Sequence, residues 1–313
     1  MHVRLRRLAT GAIAVAAVGV VASVLLPLVP AWPFVLFEHF RFQYVWAGAL
    51  VVGACAALRM RGWFDAALIA TLLNAMHVLP DLSRSAQSMP ANGTPMRVLL
   101  LNVHTSSSAF DDVKRLIADT NADIVGLLEV DDRWLAALAP AVTAYPHRIE
   151  TPRDDNFGIA LYSRMQLTGA TEQLGSSLPT VVATVDVAGS PLGIVLTHPI
   201  PPVRAEPLAM LISQLDAVAQ RSRSLGPPVI VMGDFNATPW SRPFRRFIGA
   251  SGLCDTRAGF GLQASFPAAS TVLRIPIDHV LVSCALGVRG REIARDVGSD
   301  HLPVVADLVV PRT

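Results

Sequence analysis

Charge is scarce in this chain. Only 16% of its 313 residues are Asp, Glu, Lys or Arg, against 52% hydrophobic ones; a soluble globular domain carries about 25% charged residues. Part of the chain is therefore expected outside water. Aromatic residues are few, at 6%, and cysteines number three. No CxxC pair or Cys/His spacing is present, so zinc is not indicated. Cys55 lies in an apolar run. Cys254 and Cys284 could pair, but nothing in the sequence brings them together, and two buried thiols are the expectation. A basic block is also missing. Seven Lys/Arg face three Asp/Glu before Met96, and nineteen face twenty-one from there on. The net charge of +2 thus belongs to the N-terminal part, and the near-neutral remainder does not support tight, non-specific nucleic-acid binding.

What is present in residues 1–80 is apolar length. MHVRLRR precedes an uncharged stretch from Leu8 to Phe37, and two more apolar segments follow, about Phe42–Leu58 and Trp63–Pro80. The first could be a signal peptide, but such a peptide would not be followed by further membrane-length segments. Three spanning helices are expected. The third carries Asp65, Asn74 and His77, groups costly in hydrocarbon unless bonded to a neighbouring helix. Arg4, Arg6 and Arg7, and then Arg59 and Arg61, mark the cytoplasmic side. With three spans the rest of the chain emerges on the outer face; with two it stays in the cytoplasm. A multi-pass protein of a bacterial inner (plasma) membrane, with its globular part periplasmic, is the expectation. Residues 81–95, DLSRSAQSMPANGTP, read as a linker, and 96–313 as one globular domain.

That domain alternates apolar runs with amphipathic stretches. RVLLLNV, DIVGLLEV, GIALYS, TVVATVDV, LGIVLTH, PVIVMGDFN, IDHVLVS, LGVRGREI and LPVVADLVV read as strands. DDVKRLIADT, RWLAALAPAV and about Arg204–Ser222 read as helices. This is a mixed α/β pattern. No Gly-rich loop follows the first strand, which excludes a dinucleotide-binding fold.

Several apolar runs stop at polar residues of one kind. They end at Asn102, Glu129 and His198, at Asp234 and Asn236 in GDFN, at Asp278 in IDHV, and at Ser299, Asp300 and His301 in GSDH. Singly, each has an ordinary explanation: Asn102 or Asp300 capping a turn, Asp234 within one, His198 in the core. Together they point to convergence on one site, because unpaired polar groups at buried strand ends cost free energy. Asn102, Glu129 and Asp300 are oxygen donors suited to Mg²⁺, with Mn²⁺ a possible substitute. His301 with Asp278 makes an oriented imidazole.

The ordered blocks LNVH, DIVGLLEV, DNFGIALYSR, LTHPIPP, GDFNATPWS, ASFP, IPIDHVLVS and GSDHLPV resemble the endonuclease/exonuclease/phosphatase (DNase I-like) superfamily over about residues 96–310, in a bacterial membrane-attached branch. The resemblance implies a four-layer α/β/β/α sandwich preceded by transmembrane helices. It implies Glu129 as principal metal ligand with Asn102 and Asp300, His198 as a general acid, and Asp234 and Asn236 around the attacking water and phosphate. His301 paired with Asp278 is the implied catalytic histidine, and Asn156 and Ser265 are implied substrate contacts. One departure is Leu128, where the superfamily usually places Gln before the glutamate.

The function so implied is metal-assisted attack of water on a phosphoester by a membrane-anchored phosphodiesterase acting on membrane-derived or extracytoplasmic substrates, such as lipid head groups. A tethered DNA/RNA nuclease is the alternative, with Arg153, Arg204, Arg242, Arg245 and Arg246 as its basic face. An inactive binding protein is the third reading, disfavoured because every expected catalytic position is filled. No protein partner is inferred. Trp240 could line a pocket or the core, and Phe266 is expected in the core.

Overall fold

The computed structural model describes residues 2–312. Contacts divide the chain into two units, one formed by the chain up to Ser83 with Trp240–Arg242, the other by the remainder.

The first unit holds α1 (His2–Leu25), α2 (Arg41–Ala57) and α3 (Arg61–Ser83). Three helical stretches, Arg4–Leu28, Phe34–Ala57 and Arg61–Ser83, are long and apolar enough to cross a membrane. The first apolar stretch does not run unbroken to Phe37. Pro27, Pro30 and Pro33 interrupt it, and only short 3₁₀ turns form at Leu26–Leu28 and Phe34–Phe40, because proline lacks the donor a helix needs. Asn74 does bond to its neighbours. Its amide nitrogen donates to Ser23 Oγ at 2.9 Å on α1, and its oxygen accepts from Arg41 Nη1 at 3.2 Å on α2. The fully buried amide thereby links all three helices.

The first strand of the second unit is β1 (Gly93–Asn102), which takes in the last residues of the 81–95 segment. There follow α4 (Phe110–Thr120), β2 (Ile124–Leu128), α5 (Asp132–Leu138), β3 (His147–Thr151) and β4 (Ile159–Ser163). Next come β5 (Leu167–Gln173), β6 (Pro179–Val187), β7 (Ser190–Thr197), α6 (Ala205–Leu225) and β8 (Val229–Asp234). The chain closes with α7 (Arg242–Ser251), β9 (Leu253–Asp255), β10 (Asp278–Ser283), β11 (Gly287–Ile293) and β12 (Val304–Pro311).

The strands form two six-stranded mixed sheets, ordered β11-β12-β1-β2-β4-β3 and β5-β6-β7-β8-β10-β9. Val98, Leu100, Leu128, Ile194, Leu196, Ile230 and Met232 interdigitate in the apolar layer between them. The sheets come so close at Gly126 that a Cβ there would lie 2.8 Å from Met232 Cε and 2.9 Å from Leu196 Cδ1. Alternate residues of β1 and β2, such as Leu99, Leu101, Val125 and Leu127, point the other way, under Val113, Leu116 and Ile117 of α4 and Trp134 of α5. On the second sheet, α6 packs against β7 and β8. The result is the expected DNase I-like α/β fold. Helix α5 stops at Leu138 rather than continuing through Pro140 and Val142, again because Pro140 cannot extend it.

One expectation from composition fails. Cys254 and Cys284 are not buried thiols: they form a disulfide with Cα atoms 5.1 Å apart. Antiparallel pairing of β9 with β10 sets Cys254 opposite Val282, two residues from Cys284, a proximity that comes from pairing and not from spacing.

Candidate active site

Topology explains why polar strand ends converge. Strands β1 and β2 run parallel, as do β7 and β8, so Asn102, Glu129, His198 and Asp234 all leave their sheets at C-terminal ends. Antiparallel β10 starts where β8 stops, with Asp278 opposite Asp234 in register. Antiparallel β12 starts beside the end of β1, which brings the Ser299–His301 turn to the same rim.

On the first sheet, Asn102 Nδ2 donates to Glu129 Oε1 at 2.8 Å and reaches Asp234 Oδ2 at 3.4 Å. Asn102 Oδ1 accepts from the His104 amide at 3.0 Å. In this orientation Asn102 holds Glu129 in place with its nitrogen. Thr105, not singled out by sequence, grips Glu129 twice: its amide donates to Oε2 at 3.2 Å and its hydroxyl to the Glu129 carbonyl at 2.9 Å. Leu128 sits in the inter-sheet core, so the support that a polar neighbour would give Glu129 comes from Asn102 and Thr105. Ser299 Oγ donates to the Asn102 carbonyl at 2.6 Å and accepts from the His301 amide at 3.1 Å, tying the Asp300 turn to β1.

His301, on the turn before β12, reaches the second sheet: its Nδ1 lies 2.8 Å from Asp278 Oδ2, and its Nε2 lies 3.6 Å from Asp234 Oδ2. His198 Nε2 approaches the same Asp234 oxygen at 3.4 Å. Asp234 Oδ1 accepts the Asn236 amide at 2.9 Å, and Asn236 Nδ2 donates to the Pro199 carbonyl at 2.9 Å. Gly233 makes this approach possible: a Cβ there would fall 1.8 Å from the Thr197 carbonyl oxygen. Ser265 is fully buried and donates to Asp278 Oδ2 at 2.5 Å, so it supports the dyad instead of facing solvent. Asn156 is exposed on its loop; the neighbouring Phe157 is the one that reaches the cluster, its ring 5.3 Å from that of His198. Phe266 is not a core residue. It is only half-buried and stacks on His301 with ring centroids 4.6 Å apart. His104, Glu129, Asn156 and Asn236 all have positive φ, a concentration of backbone strain typical of functional sites.

Charge in this cluster is strongly coupled. Burial pushes Asp234 up, but His301 and His198 outweigh it and hold the carboxyl well below its usual range. Burial raises Asp278. Burial alone would lower His301, yet Asp278 and Asp234 lift it above its usual value. The carboxyls on either side of His301 thus favour its charged form.

Two groups could hold a cation. Ligand atoms of Asp234, Asp278 and His301 lie within 4.8 Å of one another, with His301 Nδ1 turned to Asp278 and Nε2 to Asp234. Glu129 and Asp300 are the second: hard oxygen donors, one side chain 12% and the other 43% exposed, of the kind Mg²⁺ takes.

Residues 99–301 match the Endonuclease/Exonuclease/phosphatase family. The chain belongs to this family. Its members hydrolyse phosphoesters, generally with a divalent metal, and this chain is a phosphoester hydrolase of that kind. Among solved structures, an endonuclease/exonuclease/phosphatase from Beutenbergia cavernae is similar at 23% identity and a TM-score of 0.55, over 69% of this chain and 72% of that one. A humanized D. rerio TDP2 is similar at 16% identity and 0.56, over 68% and 98%. Sphingomyelinase C from Streptomyces griseocarneus is similar at 17% and 0.51, over 68% and 99%. At these identities the likeness concerns the fold. No curated protein matches the chain.

Proposed function

We propose that this chain is a membrane-anchored, Mg²⁺-dependent phosphodiesterase acting on a lipid head group. The observation that carries the reading is the convergence of Glu129, Asp234 and the Asp278–His301 dyad from two sheets onto one rim, on a chain with three membrane-length helices. A cation at Glu129 and Asp300 would stabilise charge on the phosphate oxygens. Asp234, held by the Asn236 amide, orients the attacking water and takes its proton as the oxygen–phosphorus bond forms. His301, fixed by Asp278 and by the Phe266 ring, presents its Nε2 proton to a phosphate oxygen. His198 Nε2 stands on the other side of Asp234, placed to give a proton to the leaving oxygen. Asn236 anchors the loop that carries this edge.

The nuclease alternative needs a free basic face, and three of its candidate arginines are already engaged, Arg242 among them through Glu38 at 2.8 Å. Arg153 pairs with Asp155, and Arg246 with Asp216 at 2.7 Å. Tethering, by contrast, raises the effective concentration of a membrane substrate. The disulfide supports an extracytoplasmic location, since such bonds persist in oxidising compartments, as does the arginine pattern around the helices.

The test is Mg²⁺-dependent hydrolysis by the full chain in detergent on mixed phospholipids, a chromogenic diester, a phosphomonoester and plasmid DNA. Lipid turnover that stops with EDTA and with His301→Ala is expected. DNA cleavage without lipid turnover would replace this reading with a tethered nuclease.

A further inference from the structure

The three helices of the first unit collect their arginines at one end. Ser23 late in α1, Arg41 at the start of α2 and Asn74 on α3 meet through hydrogen bonds. The start of α1, with Arg4, Arg6 and Arg7, and the turn between α2 and α3, with Arg59 and Arg61, therefore share the other end. At that turn lies a cavity of about 520 Å³, lined by Cys55, Arg59, Met60, Arg61, Phe64 and Asp65. Its size is that of a small-molecule site, about 300–1,000 Å³.

The turn is built in an unusual way. The Arg59 amide donates to the Ala56 carbonyl at 3.1 Å and the Met60 amide to the Cys55 carbonyl at 2.9 Å. A helix that ends with this bond pair places a left-handed residue just past its cap, usually glycine. Here that residue is Arg59, with φ +57°. A long cationic side chain stands where the backbone favours none, on the wall of the cavity. Neither the Arg59 nor the Arg61 guanidinium pairs with another described residue, although the Asp65 carboxylate shares their lining. Two cations and one anion give that lining a net charge of +1. Between them the surface is apolar: Cys55 is fully buried, and Met60 and Phe64 are half-buried.

We propose that this cavity binds one anionic glycerophospholipid, with Arg59 and Arg61 on its phosphodiester and Met60 and Phe64 against its first acyl carbons. The proposal rests on the reading of this unit as a membrane anchor, and not on the catalytic reading. Two membrane-length helices, Phe34–Ala57 and Arg61–Ser83, meet at the turn, which sets the cavity at head-group depth. Basic pockets between spanning helices on the cytoplasmic side take anionic head groups, and the planar guanidinium matches phosphate oxygens. A lining of net +1 suits a phosphodiester with one negative charge, as in phosphatidylglycerol. A zwitterionic head group leaves that charge uncompensated, and a doubly charged free phosphate exceeds it. The lipid is a fixed constituent of the anchor, not a substrate.

The test uses the full chain in non-ionic detergent, with EDTA to stop turnover. It is incubated with equal amounts of dioleoyl phosphatidylglycerol and dioleoyl phosphatidylethanolamine, and retained lipid is counted by native mass spectrometry. One phosphatidylglycerol per chain is expected, undisturbed by excess glycerol phosphate. Arg59→Gly combined with Arg61→Gln should weaken its retention about 30-fold; glycine suits the left-handed turn, so the helix pair survives. Arg4→Gln combined with Arg6→Gln removes the same charge from the same end and should change retention far less. Equal losses in the two double variants would mean diffuse attraction and overturn the site. Unchanged retention in the Arg59 and Arg61 variant would place the lipid elsewhere and overturn it too, as would no preference over phosphatidylethanolamine. Displacement by glycerol phosphate would replace the lipid with a soluble phosphate. Flotation of the full chain with phosphatidylethanolamine vesicles at alkaline pH separates the two readings. A chain that fails to float has no spanning anchor, and both fall; one that floats without the lipid preference loses only the cavity site.

Discussion

The two sheets of the catalytic unit have the same strand order. β11-β12-β1-β2-β4-β3 matches β5-β6-β7-β8-β10-β9 position for position, with a parallel pair at the centre of each. The register carries the match to the rim. Leu128 pairs with Asn102 and is followed by Glu129; Gly233 pairs with Thr197 and is followed by Asp234. Equivalent positions thus carry a carboxylate in both halves. Their surroundings then diverge. Glu129 is held by neutral donors, and Asp300 beside this rim is partly exposed. Asp234 is 2% exposed and sits beside two imidazoles. One scaffold, used twice, makes a cation site on one side and a water- and proton-handling site on the other.

Separating the two halves by mutation gives the largest expected effect. Asp234→Asn should lower kcat by about 1,000-fold or more with divalent-cation affinity nearly unchanged, measured by steady-state kinetics and calorimetric titration. Next in size, Ser265→Ala should lower kcat by about 10-fold with little change in KM, since it frees the Asp278 carboxylate without touching substrate. A comparable loss in KM instead would make Ser265 a substrate contact after all.

Smaller effects concern stability of the second half. Removing the Cys254–Cys284 bridge with Cys284→Ser should cost about 2–4 kcal/mol in denaturant unfolding and leave cation affinity alone. The acid limb of stability should depend on His279. Burial lowers its pKa to about 3, so between about pH 6.5 and 3 the unfolded chain binds the proton that the folded chain refuses. Stability from this group is complete above that window and is lost as pH falls through it. Asp255, held below its usual range against its own burial by Arg257 and Arg291, contributes stability that is lost as pH falls through its lowered pKa. His279→Gln should flatten the upper part of the acid limb, read from unfolding free energy against pH.

Much of the rim was legible because its residues interrupt apolar runs: an Asn, Glu, His or Asp closing a buried strand stands out in one dimension. The residues that hold them do not. Thr105, Phe157 and Phe266 are ordinary residues in ordinary loops, and only the fold brings them to Glu129, His198 and His301. Strand β9 is three residues long, and β5 is largely exposed, so neither carries a usable alternation. The disulfide depends on β9 pairing with β10, and was hidden for the same reason.

The most direct test of the division between the halves is a pair of calorimetric titrations with Mn²⁺ and Mg²⁺, on Glu129→Gln and on Asp234→Asn, using the full chain in detergent. The account predicts that Glu129→Gln loses cation binding while Asp234→Asn keeps it and loses only turnover. Retained binding in Glu129→Gln with loss in Asp234→Asn would place the cation among Asp234, Asp278 and His301, and contradict the assignment of the two halves.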